Sequence, residues 1–204
     1  AELAQTGAPA LAVPADMRSL PDLQTMVDAV LARYGRVDVL VLNAGIGGGG
    51  AVARMPADTA ANTIGTNLIA PIELARMLLP GMLTRGSGAI VLIGSVAGRI
   101  AVPTSAVYGA SKFGLRGFAD GLRREVAHRG VSVSLVSPGF VRTSMTADMR
   151  FPLPGPELVA RAVARAITRP RREVFVPGYY ALPVWLAQAL PALTDALLRR
   201  TRRR

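Results

Sequence analysis

Cysteine is absent from this chain, which excludes a disulfide framework and thiolate metal ligation and makes a reducing, cytoplasmic setting the expected one. Histidine occurs once, as His128 among Arg123, Arg124, Glu125 and Arg129. One imidazole does not build a metal centre, so it reads as a solvated residue at the charged end of a helix, and no metal is expected. Lysine is equally scarce: of 24 basic residues, only Lys112 is not arginine. A chain that uses arginine everywhere else points to a compact, strongly hydrated ammonium being needed there rather than a planar fork. Acidic residues number 13, the net charge is +11, and residues 169–204 hold eight arginines against Glu173 and Asp195. No run of about 18 apolar residues escapes proline or charge, so a membrane-spanning helix is not expected, and no signal peptide is visible at the N-terminus. Basic and aromatic residues do not interleave along one strand face, which argues against nucleic acid as a partner.

What is present is ample core material: half of the 204 residues are hydrophobic, enough for one domain. Leu11 to Val13 is a short apolar run before Pro14-Ala15-Asp16, read as the end of a strand. Ser19 caps a helix with Asp22 completing a capping box, and Leu23, Met26, Val27, Val30 and Leu31 form its apolar stripe up to Gly35. Val37 to Leu42 is apolar on both faces, as an interior parallel strand is. The pattern then predicts a helix over Thr59–Leu79, a strand over Ala89–Ile93, a helix over Ser105–Arg129 and a strand over Val131–Val136. A shorter helix over Pro156–Thr168, a strand over Glu173–Val176 and a proline-broken amphipathic helix from Pro183 complete the chain. This alternation indicates an α/β, Rossmann-like doubly wound parallel sheet with helices on both faces. Ligands of such sheets bind beyond the C-terminal strand ends, where Asn43, Ser95 and Pro138-Gly139 fall.

The segment Ser95 to Lys112 carries the chemistry. Tyr108 and Lys112 lie four apart on a helix and share a face. A cation beside a phenol lowers its pKa, so Lys112 is expected to make Tyr108 a general acid or base. The Ser95 hydroxyl donates to the oxygen where charge develops when hydride moves to or from carbon. Gly45 to Gly50 matches G-x-G-x-x-G, but Met55-Pro56 separates it from the next helix and no acidic strand end follows at the right distance. It reads as a mobile glycine loop rather than a phosphate loop. Pro71 lacks the N–H that would bond the carbonyl of Asn67, so the helix should bend there and leave an acceptor free for water or an ammonium.

With Asn43-Ala44-Gly45, Asn67, Ser95, Tyr108-Gly109-Ala110-Ser111-Lys112 and Pro138 to Thr143 in order, the chain resembles the short-chain dehydrogenase/reductase family. The resemblance implies NAD or NADP as cofactor, with Tyr108 as acid/base, Ser95 positioning the substrate oxygen and Lys112 holding the nicotinamide ribose. It implies that Asn67 holds a relay water through its carbonyl. Asp16, with Met17 beside it, resembles the family's adenine-contacting segment; Asn43, Ala44 and Gly45 lie against the cofactor; Pro138, Gly139, Val141 and Thr143 belong to the nicotinamide-side loop. Ser111 reads as packing.

The family's first strand and glycine-rich phosphate loop have no counterpart here, and Val37 to Leu42 would be left as an open apolar edge. The expectation is an N-terminally incomplete view of a longer protein, with residues 1–180 a truncated Rossmann-like domain and residues 181–204 a basic amphipathic helix. Met145, Met149, Phe151 and Leu153, with Ile100 and Val102, suggest an apolar alcohol or ketone as substrate. The terminal helix, with Val184, Trp185, Leu186, Leu190, Leu193 and Leu197, reads either as docked on the domain, the preferred reading, or as a peripheral membrane contact. A homo-oligomer is expected. The competing function is a cofactor-free, non-catalytic remnant acting as an oligomerising or structural protein; about 60 residues after Thr143 are too few for the substrate domain of a sugar epimerase.

Overall fold

The computed structural model describes residue 7, residues 9–147 and residues 152–200. Helix α1 (Leu20–Tyr34) starts where Ser19 accepts a hydrogen bond from the Asp22 N–H and stops at Gly35, whose φ of 76° closes the last turn as a left-handed cap. Strand β1 (Val39–Leu42) follows. Helix α2 (Thr59–Ile64) runs through a π-helical turn at Gly65–Ile69 into α3 (Ala70–Arg85). Then come β2 (Gly88–Ile93), α4 (Ala106–Glu125), β3 (Val131–Pro138), α5 (Glu157–Thr168) and β4 (Glu173–Val176). Helices α6 (Ala181–Ala189) and α7 (Pro191–Arg200) end the described chain.

The four strands form one parallel sheet in the order β1-β2-β3-β4, with Leu42 opposite Leu92, Ile93 opposite Val136 and Pro138 opposite Val176. Side chains alternate across a strand, and two cores result. Ile90 and Leu92 point to one face, under Leu23 and Val27 of α1, Leu74 and Met82 of α3 and Leu115 and Leu122 of α4. Val91 and Val136 point to the other, under Ala166 and the apolar stripe of α5. The sheet is therefore covered on both faces, as the alternating pattern predicts.

Three expectations need correction. Leu11 to Val13 is not a strand among the described residues, and Leu11 is exposed; three residues ending in a proline give too few ladder bonds. The predicted continuous helix over Thr59–Leu79 contains the π turn, immediately before Pro71, and α3 continues to Arg85. A missing N–H is accommodated by widening the turn ahead of it rather than by a break in the helix. The terminal helix is two, with 106° between them: Pro183 is tolerated in the first turn of α6, where its absent donor has no partner to lose, and the break falls at Leu190-Pro191. His128, at φ 66°, sits in the turn after α4, exposed as expected. Among the described residues β1 lies at a sheet edge. Beside it an apolar groove of about 330 Å³ is lined by Met17, Met26, Val30, Val41, Asn43 and Ala44.

Candidate active site

The C-terminal ends of β1, β2 and β3 face one side of the sheet, and each hands the chain to a segment that bends over it. After β2, Ser95 is held in extended backbone, and its Oγ accepts from the Ala97 N–H at 3.1 Å, capping a short 3-10 turn at Val96–Gly98. That turn lies against α4 so closely that a Cβ on Gly98 would stand 2.7 Å from the Lys112 carbonyl oxygen. Glycine here sets the spacing between Ser95 and the helix that carries Tyr108 and Lys112. Gly98→Ala is expected to destabilise the protein by about 1–3 kcal/mol and to lower turnover; an unchanged melting temperature would mean that the spacing is not tight.

Tyr108 and Lys112 are brought together with Ser95. Lys112 is 5% exposed, its Nζ donates to the Ile93 carbonyl at 2.9 Å, and the same ammonium stands 5.8 Å from the centre of the Tyr108 ring. Burial drives the Lys112 pKa down to about 8. Burial also pushes the Tyr108 phenol above its ordinary value, with the hydrogen-bonded Ser95 side chain pulling it partly back. The expected lowering of Tyr108 by Lys112 is therefore not what the geometry gives. The ammonium is directed at the Ile93 carbonyl, 5.8 Å from the ring centre, and desolvation of the phenol is the largest influence on its pKa.

Asn67 is fully buried in the π turn, and its side chain is used in full. The Ile46 N–H donates to Asn67 Oδ1 at 2.8 Å, and Asn67 Nδ2 donates to the Ile46 carbonyl at 2.9 Å and to Ser111 Oγ at 3.1 Å. Ser111 Oγ in turn donates to the Tyr108 carbonyl at 2.7 Å. Residues 46, 67, 111 and 108 are thus one hydrogen-bonded chain tying the glycine loop to the tyrosine helix. Ser111 does more than pack, and Ile46 was not singled out in the sequence; the one signal for both is polar partners for an asparagine inside an apolar helix. Pro71 has no N–H to give the Asn67 carbonyl. Lys112 donates to Ile93 instead of to that carbonyl.

The remaining predicted residues divide. Met17, Asn43 and Ala44 line the groove beside β1. Gly45 sits where a Cβ would stand 3.3 Å from Asn67 Oδ1 and 3.6 Å from Lys112 Nζ, which joins the end of β1 to the tyrosine site. Asp16 lies before α1, where its carboxylate accepts from Arg18 Nε at 3.0 Å and Nη2 at 2.6 Å, and this pairing holds its pKa down at about 2. Pro138 ends β3, and the Gly139 N–H donates to the Val176 carbonyl at 2.8 Å. Val141 is buried, and the Thr143 N–H donates to Thr146 Oγ1 at 2.9 Å, so this loop is tied to itself. The glycine loop is anchored rather than loose: the Gly50 N–H donates to the Thr104 carbonyl at 2.7 Å, and a Cβ on Gly48 would meet Thr63 Oγ1 at 2.5 Å. It opens into a 3-10 turn at Val52–Arg54, not a phosphate-binding helix. Met145 reaches across to Gly47; Met149 and Phe151 lie outside the described residues. Among the described residues no group of three or more His, Cys, Asp or Glu side chains could hold a metal.

Comparison with known proteins gives a consistent answer. A family model described as short chain dehydrogenase matches residues 1–152. Ketoacyl reductase HetN of Nostoc sp. is 41% identical over 177 residues, 83% of this chain and 62% of its own length. The dehydrogenase/reductase SDR family protein 7-like of Drosophila melanogaster is 41% identical over 138 residues, 68% of this chain and 42% of its own length. The 3-oxoacyl-[acyl-carrier-protein] reductase FabG of Salmonella typhimurium is 40% identical over 124 residues, 61% of this chain and 51% of its own length. The chain thus spans less than two thirds of the length of each of these relatives. A family match over most of the chain, on a parallel sheet whose strand ends gather Ser95, Tyr108 and Lys112, has one outcome: the chain belongs to the short-chain dehydrogenase/reductase family.

Proposed function

We propose that this chain carries the catalytic half of an NAD(P)-dependent oxidoreductase that interconverts a carbonyl and an alcohol, working as a reductase at neutral pH. The observation that supports this most is a half-buried Tyr108 with the buried Lys112 ammonium 5.8 Å from its ring centre, its phenol pKa raised by desolvation and drawn partly back by Ser95. A phenol that keeps its proton through neutral pH is poised as an acid. Nicotinamide, when bound, supplies or takes the hydride. In reduction, Tyr108 Oη gives its proton to the carbonyl oxygen as negative charge builds there, and Ser95 Oγ donates a hydrogen bond to the same oxygen. Asn67 and Ser111 hold the tyrosine helix at a set distance from the glycine loop.

The residues fit the nicotinamide side of such a cofactor. Gly45 keeps its backbone open beside Asn67 and Lys112 at the place a Cβ would fill, so Lys112 and the Asn43 to Gly45 segment would hold the ribose. The adenine side is assigned to Asp16 and Met17, with Asp16 engaged by Arg18, and the nicotinamide side to Pro138, Gly139, Val141 and Thr143. The substrate is an apolar alcohol or ketone. Met145, Phe140, Ile46 and Val102 are exposed on the segments that follow β1, β2 and β3, and two of the relatives are named for reduction of ketoacyl or oxoacyl compounds. Apolar surface at Ile69 and Phe113 suits a homo-oligomer.

The test is steady-state reduction of a panel of short- and long-chain ketones and ketoacyl thioesters with NADH and with NADPH. Turnover that favours the longer apolar chains is expected. Well-folded protein that neither turns over any of them nor binds either dinucleotide in calorimetry would return the structural, cofactor-free reading.

A further inference from the structure

The C-terminal elbow, α6 and α7, was expected to dock on the domain through its apolar stripe, and it does not. Only Val184 of α6 is buried, at 4% exposed, and on the same side Gln188 Oε1 accepts from Arg99 Nη1 at 3.3 Å. Leu182, Leu186 and Leu190 recur at helical spacing on the opposite side, and they and the flanking Trp185 are exposed, Trp185 at 65%, while Leu182 and Trp185 also border a shallow groove with Arg99 and Phe175. On α7, Leu193 and Leu197 are exposed one turn apart, with Asp195 and Arg199 on the far side of the helix. Tyr179, also exposed, stands at the root of the elbow. Among the described residues no single helix is long and apolar enough to cross a membrane, and the 106° between α6 and α7 bends their apolar faces into an angular surface rather than a span.

We infer that this elbow is a docking surface for an anionic lipid bilayer, with Leu182, Trp185, Leu186, Leu190, Leu193 and Leu197 entering the headgroup boundary. The composition fits that occupant. Tryptophan and tyrosine with leucine on one side and arginine on the other is the pattern of an interfacial helix. The elbow's own segment, residues 178–204, carries five arginines, all at its C-terminal end, against Asp195. A second copy of the chain would bring like charges together on such a surface, whereas acidic headgroups neutralise them. The elbow is also fixed beside the loop after β3: the Tyr180 hydroxyl accepts from the Phe140 N–H at 3.3 Å, and its ring fills the space beside Gly139. Docking would bring that loop close to the bilayer, where an apolar carbonyl compound partitions. The inference does not depend on the catalytic reading, because its readout is lipid binding alone.

The chain has a single tryptophan, and it lies on the proposed surface, so the unmodified protein reports on itself. The experiment adds vesicles of phosphatidylcholine alone, and of phosphatidylcholine with an equal amount of phosphatidylglycerol, while following Trp185 emission and flotation. Expected are a blue shift and co-flotation with the anionic vesicles, both weakened by high salt, and little of either with phosphatidylcholine alone. The double variant Leu186→Glu, Leu193→Glu, checked for parental circular dichroism, is expected to partition roughly tenfold or more weakly. Trp185 emission unmoved by anionic vesicles, equal flotation of the variant, or a lipid-free blue shift that grows with protein concentration would each overturn the inference. The last would assign the face to self-association.

Discussion

Tyr108→Phe is expected to lower ketone turnover by about a hundredfold to ten-thousandfold while leaving the melting temperature close to that of the parent. The two effects separate because the hydroxyl has two different values to the protein. For stability it is one hydrogen bond with the Ser95 side chain, with a net contribution of about 1 kcal/mol. For reaction it is the proton itself, and no neighbouring group can replace it: Ser95 is a poor acid, and Lys112 Nζ is directed at the Ile93 carbonyl. The pH dependence adds a second signature. With Lys112 losing its proton near 8 and the phenol raised by burial, reduction should hold level through neutral pH, fall first as the ammonium is lost and again in strong alkali as the phenol ionises. Oxidation of the alcohol, which needs the phenolate, should climb with pH. Parallel kcat profiles in both directions check this, and a Phe variant retaining more than a tenth of parental kcat would remove Tyr108 from the proton step.

Lys112→Met is expected to abolish turnover and yet to melt at or above the parent at neutral pH. The buried Lys112 has a pKa of about 8 against an ordinary value of 10.5, so at neutral pH the fold still holds the ammonium, but less favourably than the unfolded chain does. That difference corresponds to roughly 3 kcal/mol, set against about 1.5–3 kcal/mol for the lost charge-assisted hydrogen bond to the Ile93 carbonyl. The sign follows from proton binding. Between about pH 8 and 10.5 the unfolded chain holds a proton on this lysine and the folded chain does not, so the parent becomes more stable as pH rises through that window. Tyr108 works in the other direction above 10.0, its raised pKa making the fold lose stability as its phenol ionises. The clean interval is therefore from about pH 8 to 10. Chemical denaturation across it should show the parent gaining stability and the methionine variant flat by comparison. A parallel slope in both would mean that Lys112 is not the titrating group.

In the proposed reading, a lysine whose burial weakens the fold is kept for chemistry, and composition separates it from the other basic residues. Much else was legible in the same way. Strands apolar on both faces, alternating with amphipathic helices, require a parallel sheet covered on both sides, because only that arrangement buries them. Ser19 and Asp22, and the glycine after Tyr34, mark the ends of α1 by local hydrogen bonding and backbone freedom, so neighbouring residues suffice to place them. The spacing of Tyr108 and Lys112 put both on one helix face, since four residues are close to one turn. The register of motifs along the chain was enough to suggest the family.

Other features depend on contacts between distant parts of the chain. Thr59 to Leu79 reads as one helix by periodicity; the π turn is placed where the buried Asn67 side chain pairs with Ile46 and Ser111, residues from two other segments. The terminal elbow has the composition of a docked helix, and only the packing of the domain decides that Val184 turns inward while Trp185 stays out. Sequence by itself determined the parallel sheet, its alternation of elements and the pairing of Tyr108 with Lys112 on one helix face, because periodicity, capping and spacing are local properties of the chain, whereas Ser95 reaches that face only through the Gly98 turn. Tertiary structure alone decided the protonation of the site. Whether Lys112 lowers Tyr108 or burial raises it depends on where the ammonium points and how much water is excluded, and both are set by the Gly98 turn and the Ile93 carbonyl, which the fold brings to it.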